Sequence, residues 1–260
     1  MPNSFIAKLT KLVQDFLWKS NRDRGIYWKK WLHVFSLQLG WLEFRDLRCF
    51  NQALLAKQAW RIVSNPNLLL SKVLLGKYCQ HHPFLQVPQN SQSTWGWRSI
   101  LWGRDLLNTG VQWVVGNGKN ISPFEDQWIP LMSNPLRGRN MNRMLPSMKV
   151  AHFIDHEHRC WRDNLIRLFF LMNVVDIFYQ HILPEGSEDK LIWRPVKSGK
   201  YSVKSGYKQA LLCYFPIYGQ QNRDQMVWKK LWKLGLPPKW ALFRWKCLHR
   251  LLPVQWELKK

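Results

Sequence analysis

The sequence has few acidic residues, and they do not form the clusters that metal-dependent polymerases and nucleases use. Only 16 Asp and Glu residues stand against 39 Lys and Arg residues, and no two aspartates are adjacent. A polymerase or ribonuclease H site needs clustered carboxylates to hold two metal ions. Glu125 and Asp126 are adjacent acids, but nothing nearby in the sequence supplies a third ligand, so we expect them to be solvated or to cap a turn. We therefore expect no enzyme activity and no catalytic residue.

Paired cysteines and long apolar segments are also missing. The five cysteines lie far apart and form no CxxC pair, which argues against a disulfide framework and predicts reduced thiols inside the cell. No apolar run reaches the roughly 18 residues that a membrane helix needs, and no secretory signal is evident. We expect an intracellular protein without a membrane partner, located in the nucleus. The mitochondrion is the alternative, because Lys8 and Lys11 lie on an amphipathic N-terminal segment.

The densest group of metal-ligand side chains is His152, His156, His158 and Cys160, and the candidate ligands within it are His152, His156 and Cys160. The two histidines are four residues apart, a spacing that would place both on one face of a helix. A solvated polar loop is the interpretation that we favour. The sequence therefore predicts no metal site and no cofactor here.

Basic residues and tryptophans are abundant instead. The formal net charge is +23, and there are 17 tryptophans. A field this basic attracts phosphate backbones, so RNA or DNA, bound without sequence preference, is the expected partner. Tryptophans such as Trp240 and Trp245 either pack in the core, as we expect for most, or stack on unpaired bases. The candidate phosphate-binding residues are Lys57, Arg61, Lys204, Lys208, Lys229, Lys230, Lys239, Arg244 and Arg250.

Apolar periodicity predicts a mainly α fold with two small β-hairpins (α+β). The clearest helix covers residues 44–63, with Asp46 as its N-cap. Its expected packing residues are Leu47, Phe50, Leu54 and Ile62. A second helix begins after the capping residue Thr94, and Gly110 fits the left-handed position that follows a helix.

Two glycine turns predict the two hairpins. The first hairpin covers residues 111–124, with strands 111–115 and 121–124 around the turn 116–118. The two glycines of this turn also suggest a phosphate cradle, but no helix follows them, so a plain turn is favoured. The second hairpin pairs residues 191–193 with 200–203. We divide the chain into residues 1–129, a linker at 130–150, and residues 151–260.

Several sequence segments, in order, resemble one family. They are FRDL (44–47), FNQALLAKQAWR (50–61), TWGWRSILWGRDLL (94–107), WVVGNGKNISPFEDQWIP (113–130) and VWKKLWKLGLPPKWALFRWKCLHRLLP (227–253). They resemble plant non-LTR (LINE-type) retrotransposon reverse transcriptases, downstream of the polymerase core. The resemblance implies that residues 1–129 are a helical, bundle-like thumb or connection region. It also implies that residues 151–260 are the truncated N-terminal half of a reverse transcriptase zinc-binding domain.

In that family the cysteine and histidine ligands of zinc follow the last of these segments, so zinc is expected only if the chain continued beyond Lys260. The expected function is that of a non-catalytic, pseudogene-like fragment with residual non-specific binding to RNA or DNA. One alternative is a domesticated protein–protein interaction module. Another is an incomplete gene model of a full RNA-directed DNA polymerase. Helices that lack their natural neighbours would expose apolar faces, so we also expect self-association.

Overall fold

The structure is a computed structural model that describes residues 2–19, 45–90, 92–129, 147–171, 175–178, 188–216 and 234–248. The helices are α1 (Asn3–Trp18), α2 (Leu47–Ser64), α3 (Leu69–Tyr78), α4 (Trp95–Asn108), α5 (Asp163–Phe169), α6 (Val203–Tyr214) and α7 (Pro238–Leu248). The strands are β1 (Val111–Val114), β2 (Ile154–Asp155), β3 (Cys160–Trp161) and β4 (Lys190–Trp193). The predicted mainly α fold with two small antiparallel sheets is therefore confirmed.

The chain forms two compact units. The terminal unit contains Met1–Gln52 and Ala210–Lys260, and the central unit contains Ala53–Gln209. The boundaries fall inside α2 and α6, so each of these helices contributes residues to both units. The predicted division at residues 130–150 stays a prediction.

Helix α2 begins where the sequence predicts. The backbone N–H of Cys49 donates a hydrogen bond to Oδ1 of Asp46 at 2.8 Å, which confirms Asp46 as the N-cap. The packing prediction is only partly right. Ile62 is buried and Leu47 and Phe50 are half-buried, but Leu54 is 42% exposed.

The most deeply buried residues of α2 in the central unit are small. Ala53, Ala56 and Ala59 are completely buried. Small side chains let another backbone approach closely, and α4 does so at Gly103. A Cβ atom at Gly103 would lie 2.5 Å from the backbone nitrogen of Ala56. This close packing of two helices replaces the leucine-based contact that the apolar period suggests.

Helix α4 also begins as predicted, because the backbone N–H of Trp97 donates to Oγ1 of Thr94 at 3.4 Å. The prediction for Gly110 is wrong. The glycines with positive φ in the described ranges are Gly118, Gly199 and Gly235. Gly110 serves another purpose, because a Cβ atom there would lie 2.7 Å from the ring of Trp193. The position requires space for an indole and not a left-handed backbone.

The predicted strands exist in part, but both predicted pairings are wrong. Strand β1 pairs antiparallel with β4, so that Val111 lies opposite Trp193 and Val114 opposite Lys190. Residues 121–124 form no strand, because the carbonyl of Ile121 accepts instead from the N–H of Val150 at 3.0 Å. Residues 200–203 form no strand. Tyr201 is turned toward α2 instead, where its hydroxyl donates to the carbonyl of Ala53 at 2.9 Å. The second sheet, β2 with β3, is not predicted.

An aromatic cluster fills the core of the central unit beside these sheets. Trp128 lies 5.1 Å from Phe178 and 6.2 Å from Phe170, measured between ring centroids, with nearly perpendicular planes in both pairs. Phe153 makes the same kind of edge contact with Phe170 at 5.4 Å. Such pairs add to the stabilisation from burial alone. Part of the unusual aromatic content therefore belongs to the core.

Candidate nucleic-acid interface

The two predicted cations on α2 have different surroundings. Nζ of Lys57 is half-buried and donates to the carbonyl oxygen of Tyr201 at 3.1 Å. Lys57 therefore fixes α2 to the segment that precedes α6. Arg61 is exposed, and within the described ranges its Nη1 donates to Oε1 of Gln58 at 3.2 Å. Arg61 is thus available for phosphate contact, whereas Lys57 is mainly structural.

Helix α6 carries Lys204 and Lys208, four residues apart and both exposed. Their spacing places them on the same face of the helix. The helix begins next to Ser202, whose Oγ accepts from the backbone N–H of Ser205 at 3.2 Å. On the other side Gly206 contacts the ring of Tyr201, and burial raises the pKa of Tyr201. The face of α6 that contains Gly206 is buried, so Lys204 and Lys208 on the opposite face point to solvent.

In the terminal unit, α7 contains two tryptophans, one buried and one exposed. Trp245 is completely buried and lies 6.3 Å from Trp18 between ring centroids. Trp240 is 63% exposed, and Lys239 and Arg244 are exposed on the same helix. The apolar period of the helix that begins at Pro237 and Pro238 includes Trp245 and not Trp240, and of these two tryptophans Trp240 is the one on the surface. The remaining predicted cations, Lys229, Lys230 and Arg250, lie outside the described residues.

Sequence reasoning also misses Phe243. This side chain is half-exposed on α7, four residues after Lys239 and three after Trp240. The spacing of the three residues was the signal available in the sequence.

The exposed cations of α6 and α7 are not neutralised by neighbouring acids. Among the described residues, Lys204, Lys208, Lys239 and Arg244 take part in no ion pair. Several aspartates accept hydrogen bonds from backbone amides. Asp46 accepts from Cys49, and Asp126 accepts from the N–H of Ser122 at 2.7 Å. These four exposed cations therefore place positive charge on the surface of the described part of the chain.

The third such aspartate, Asp189, fills the glycine turn at residues 116–120. The N–H groups of Gly116 and Gly118 donate to its Oδ1, each at 2.8 Å, and the N–H of Asn120 donates to its Oδ2 at 2.9 Å. Convergent backbone amides of this kind form an anion-binding concavity. The turn is therefore neither a plain hairpin turn nor an open phosphate cradle, because the protein's own carboxylate occupies it. Sequence reasoning did not identify Asp189.

The predicted metal candidates do not converge. His152 lies in a 3-10 turn, where its Nδ1 accepts from the backbone N–H of Lys149 at 3.0 Å. His156 and Cys160 are exposed in and after the turn between β2 and β3, so the shared helix face is wrong. In the described ranges no three His, Cys, Asp or Glu side chains are close enough to hold a metal ion.

Beside this hairpin, Nδ1 of His158 lies 3.0 Å from Oδ2 of Asp155. This contact holds the pKa of the Asp155 carboxyl below its usual range. The interaction is local and exposed, and it brings no third ligand.

Asp126 caps a turn, which is one of the two roles that we expected for it. Its burial can be tested through the effect of its pKa on the pH dependence of stability. Burial raises the pKa of Asp126 above its ordinary value. Between the unfolded pKa of about 4 and the raised folded pKa, the folded state holds more protons than the unfolded state. Stability is therefore lost as the pH rises through this window. Asp126→Asn should remove that loss, so its stability relative to the wild type should rise from about pH 4 upward.

The measurement is urea denaturation at several pH values between about 4 and 8. Glu125→Gln is the matched control, because Glu125 is exposed and adjacent, and it should show no such trend. A stability difference between Asp126→Asn and wild type that is constant with pH would contradict the prediction.

Comparisons with known proteins identify two relatives from Arabidopsis thaliana. The chain is 38% identical over 125 residues to the "Uncharacterized mitochondrial protein AtMg00310", a match that covers 47% of this chain and 81% of that protein. It is 29% identical over 267 residues to the "Putative ribonuclease H protein At1g65750", which covers 94% of this chain but only 40% of that protein. No family model matches. No solved structure matches either.

These matches support derivation from a transposon, the coarser part of the sequence interpretation. The second relative is much longer than this chain, so its named activity concerns that whole protein. None of the described helices combines the length and apolar character that a membrane crossing requires.

Proposed function

We propose a function from one premise: the chain belongs to the family of the uncharacterized mitochondrial protein AtMg00310 of Arabidopsis thaliana. We infer that it is a non-catalytic fragment of a non-LTR retrotransposon reverse transcriptase that retains non-specific binding to RNA or DNA. The order of the resembling segments supports the retrotransposon origin. The scarcity of acidic residues supports the loss of catalysis, since two-metal chemistry needs clustered carboxylates.

One observation carries the binding proposal. The exposed cations on α6 and α7 have no acidic partner among the described residues, while Asp46, Asp126 and Asp189 are held by backbone amides. Unpaired surface cations attract phosphates and release their counterions on binding. No base-reading geometry is required for this, so the expected binding is independent of sequence.

The test is binding of a duplex and of a single strand at several salt concentrations. Each phosphate contact adds about 0.9 to the slope of log affinity against log salt for a duplex and about 0.7 for a single strand. We expect affinity to fall steeply with salt, and Lys204→Gln with Lys208→Gln to reduce the slope by up to about 2. An affinity that stays flat with salt would exclude the proposal.

A matched control for the two lysines is Arg167→Gln in the same unit. Arg167 is also exposed, but its Nε lies 2.8 Å from Oδ2 of Asp163, so it is already paired. We expect its substitution to change the slope less than either lysine substitution does. Equal effects of paired and unpaired cations would show that the acidic partners do not decide which residues bind.

A protein–protein interaction module is the second candidate, and the exposed apolar side chains favour it. On α1, Phe16 is 85% exposed and Leu12 lies exposed one turn earlier. On α3, Leu69 is 78% exposed and Val73 follows one turn later. Such stripes bind other apolar surfaces, so they also support self-association. Sedimentation after nuclease treatment separates association through protein from association through nucleic acid.

The third alternative, an incomplete gene model of a full reverse transcriptase, is settled by the flanking genomic sequence. A Tyr-x-Asp-Asp motif upstream and cysteine and histidine pairs downstream would restore an enzyme and its zinc. Stop codons and frameshifts would support a relic. The nucleus as location, with the mitochondrion as the alternative, stays an expectation.

A further inference from the structure

One exposed face of α7 combines aromatic rings and cations. Successive residues of a helix are about 100° apart, so Lys239, Phe243, Trp240 and Arg244 follow one another around a single arc. All four are exposed. The buried Trp245 lies outside this arc and packs against Trp18, which fixes the orientation of the helix in the terminal unit. The arc is therefore presented to solvent by a packed helix.

We propose that this face binds unpaired bases of RNA or DNA, with Trp240 stacking on a base and Lys239 and Arg244 contacting the flanking phosphates. The inference rests on the proposed function and names the site and the substrate class. An exposed indole gains little from a duplex, whose base faces are already stacked. A single strand offers free base faces, and stacking on an aromatic side chain stabilises the complex without regard to sequence.

Charge supports a polyanionic ligand at this face. The segment Pro238–Leu248 contains Lys239, Arg244 and Lys246 and no acidic residue. Nζ of Lys246 lies 5.9 Å from the centroid of the Trp18 ring, so this third cation is beside the buried anchor. Lys239 and Arg244 are then the cations that flank Trp240 on the exposed arc.

An anionic membrane surface is the other polyanion that a basic aromatic helix can bind. Helices that lie on membranes separate their apolar and cationic residues onto opposite faces. On α7 both kinds share one exposed face: Phe243 and Trp240 lie side by side on the arc, with Lys239 at one end and Arg244 at the other. A shared face suits a base with phosphates on either side better than it suits a lipid bilayer.

The test compares full-length wild type with Trp240→Ala by fluorescence anisotropy. The probes are a labelled single strand on the order of 15 nucleotides, within the site sizes of single-strand binders, and a duplex of the same length. Because each stacked base contributes about 1–3 kcal/mol, we expect Trp240→Ala to weaken single-strand binding by about fivefold or more. Duplex binding should change by less than about twofold, because duplex affinity comes from phosphate contacts.

Trp95→Ala is the matched control. Trp95 is 59% exposed, nearly as much as Trp240, but lies on α4 in the central unit. It should leave both affinities unchanged. Trp240→Phe should retain most of the single-strand affinity, and Lys239→Gln or Arg244→Gln should weaken both probes and lower the salt slope by about one each.

Three outcomes would overturn the inference. They are no loss with Trp240→Ala, an equal loss on single strand and duplex, and a loss on phosphatidylserine vesicles instead of oligonucleotides. Failure of the proposed function looks different, because wild type would then bind neither oligonucleotide in a salt-dependent manner. If wild type binds both and Trp240→Ala has no selective effect, only this inference fails.

Discussion

Gly103→Ala is expected to lower the free energy of unfolding by about 2 kcal/mol or more, because the new methyl group has no room. A Cβ atom at this position would lie 2.5 Å from the backbone nitrogen of Ala56 and 2.8 Å from the carbonyl oxygen of Leu55. Both atoms belong to the backbone of α2, which cannot move aside as a flexible side chain can. Helices α2 and α4 must separate, and the buried alanines of α2 lose contacts.

Gly96→Ala on the same helix is the matched control. Apart from its chain neighbours and the nearby backbone of its own helix, no heavy atom of the described residues lies within 4 Å of the place where its Cβ would be. Alanine is favoured over glycine in a helix by up to about 1 kcal/mol, so this variant should be slightly more stable than the wild type. Urea denaturation measures both variants. If both substitutions change stability in the same direction, the prediction that α2 and α4 pack too closely at Gly103 for a methyl group is wrong.

Asp189→Ala is expected to lower the free energy of unfolding by about 2–4 kcal/mol. The substitution removes the carboxylate that accepts from the N–H groups of Gly116, Gly118 and Asn120. Hydrogen bonds to a charged group are stronger than neutral ones, and partly buried donors without an acceptor add a penalty. The penalty falls on the turn next to β1, so we expect the sheet of β1 and β4 to be weakened too.

The neighbouring Glu188 provides the control for Asp189. It is exposed, and Glu188→Ala should change stability by less than about 0.5 kcal/mol. Asp189→Asn keeps one acceptor oxygen but loses the charge, so its effect should lie between those of the wild type and Asp189→Ala. Amide chemical shifts of Gly116 and Gly118 report the lost bonds directly. Unchanged amide shifts in Asp189→Ala would refute the proposed role of the carboxylate.

Local signals in the sequence predict the helices well. Asp46 and Thr94 stand directly before apolar periods, and each accepts a hydrogen bond from the third residue of its helix. The helix from Pro238 likewise begins where a proline pair marks its first turn. These features depend on residues within one helical turn, so one sequence contains all the information they need.

Pairings between distant segments cannot be read in the same way. The valines of β1 suit any antiparallel partner, and nothing nearby indicates that the partner begins at Lys190 instead of Ile121. Gly110 shows the same limit. A glycine is needed there because the ring of Trp193, which is distant in the sequence, leaves no room for a side chain. Leu54 of α2 is exposed although the apolar period predicts it to be buried. The period of apolar residues does not indicate where another backbone will approach the helix.

The candidate site was predictable in its chemistry and not in its geometry. Composition predicts exposed cations, and Lys204, Lys208 and Arg244 are exposed. Composition cannot separate Trp240 from Trp245, because both belong to one aromatic and basic segment. Helical spacing places the two tryptophans on different faces of α7, and the packing of Trp245 against Trp18 shows which face is buried. That contact joins residues from opposite parts of the sequence.

The carboxylate in the glycine turn also sets an order of events during synthesis. Asp189 follows Gly116 by 73 residues, and β4 begins directly after it. At about 5–20 residues per second, a ribosome needs roughly 4–15 s to add the residues between them. Throughout that interval the edge of β1 that pairs with β4 has no strand partner, and such an edge readily pairs with other chains. We therefore expect a nascent chain of this protein to need protection of that edge, as by a chaperone, until Asp189 and β4 have emerged.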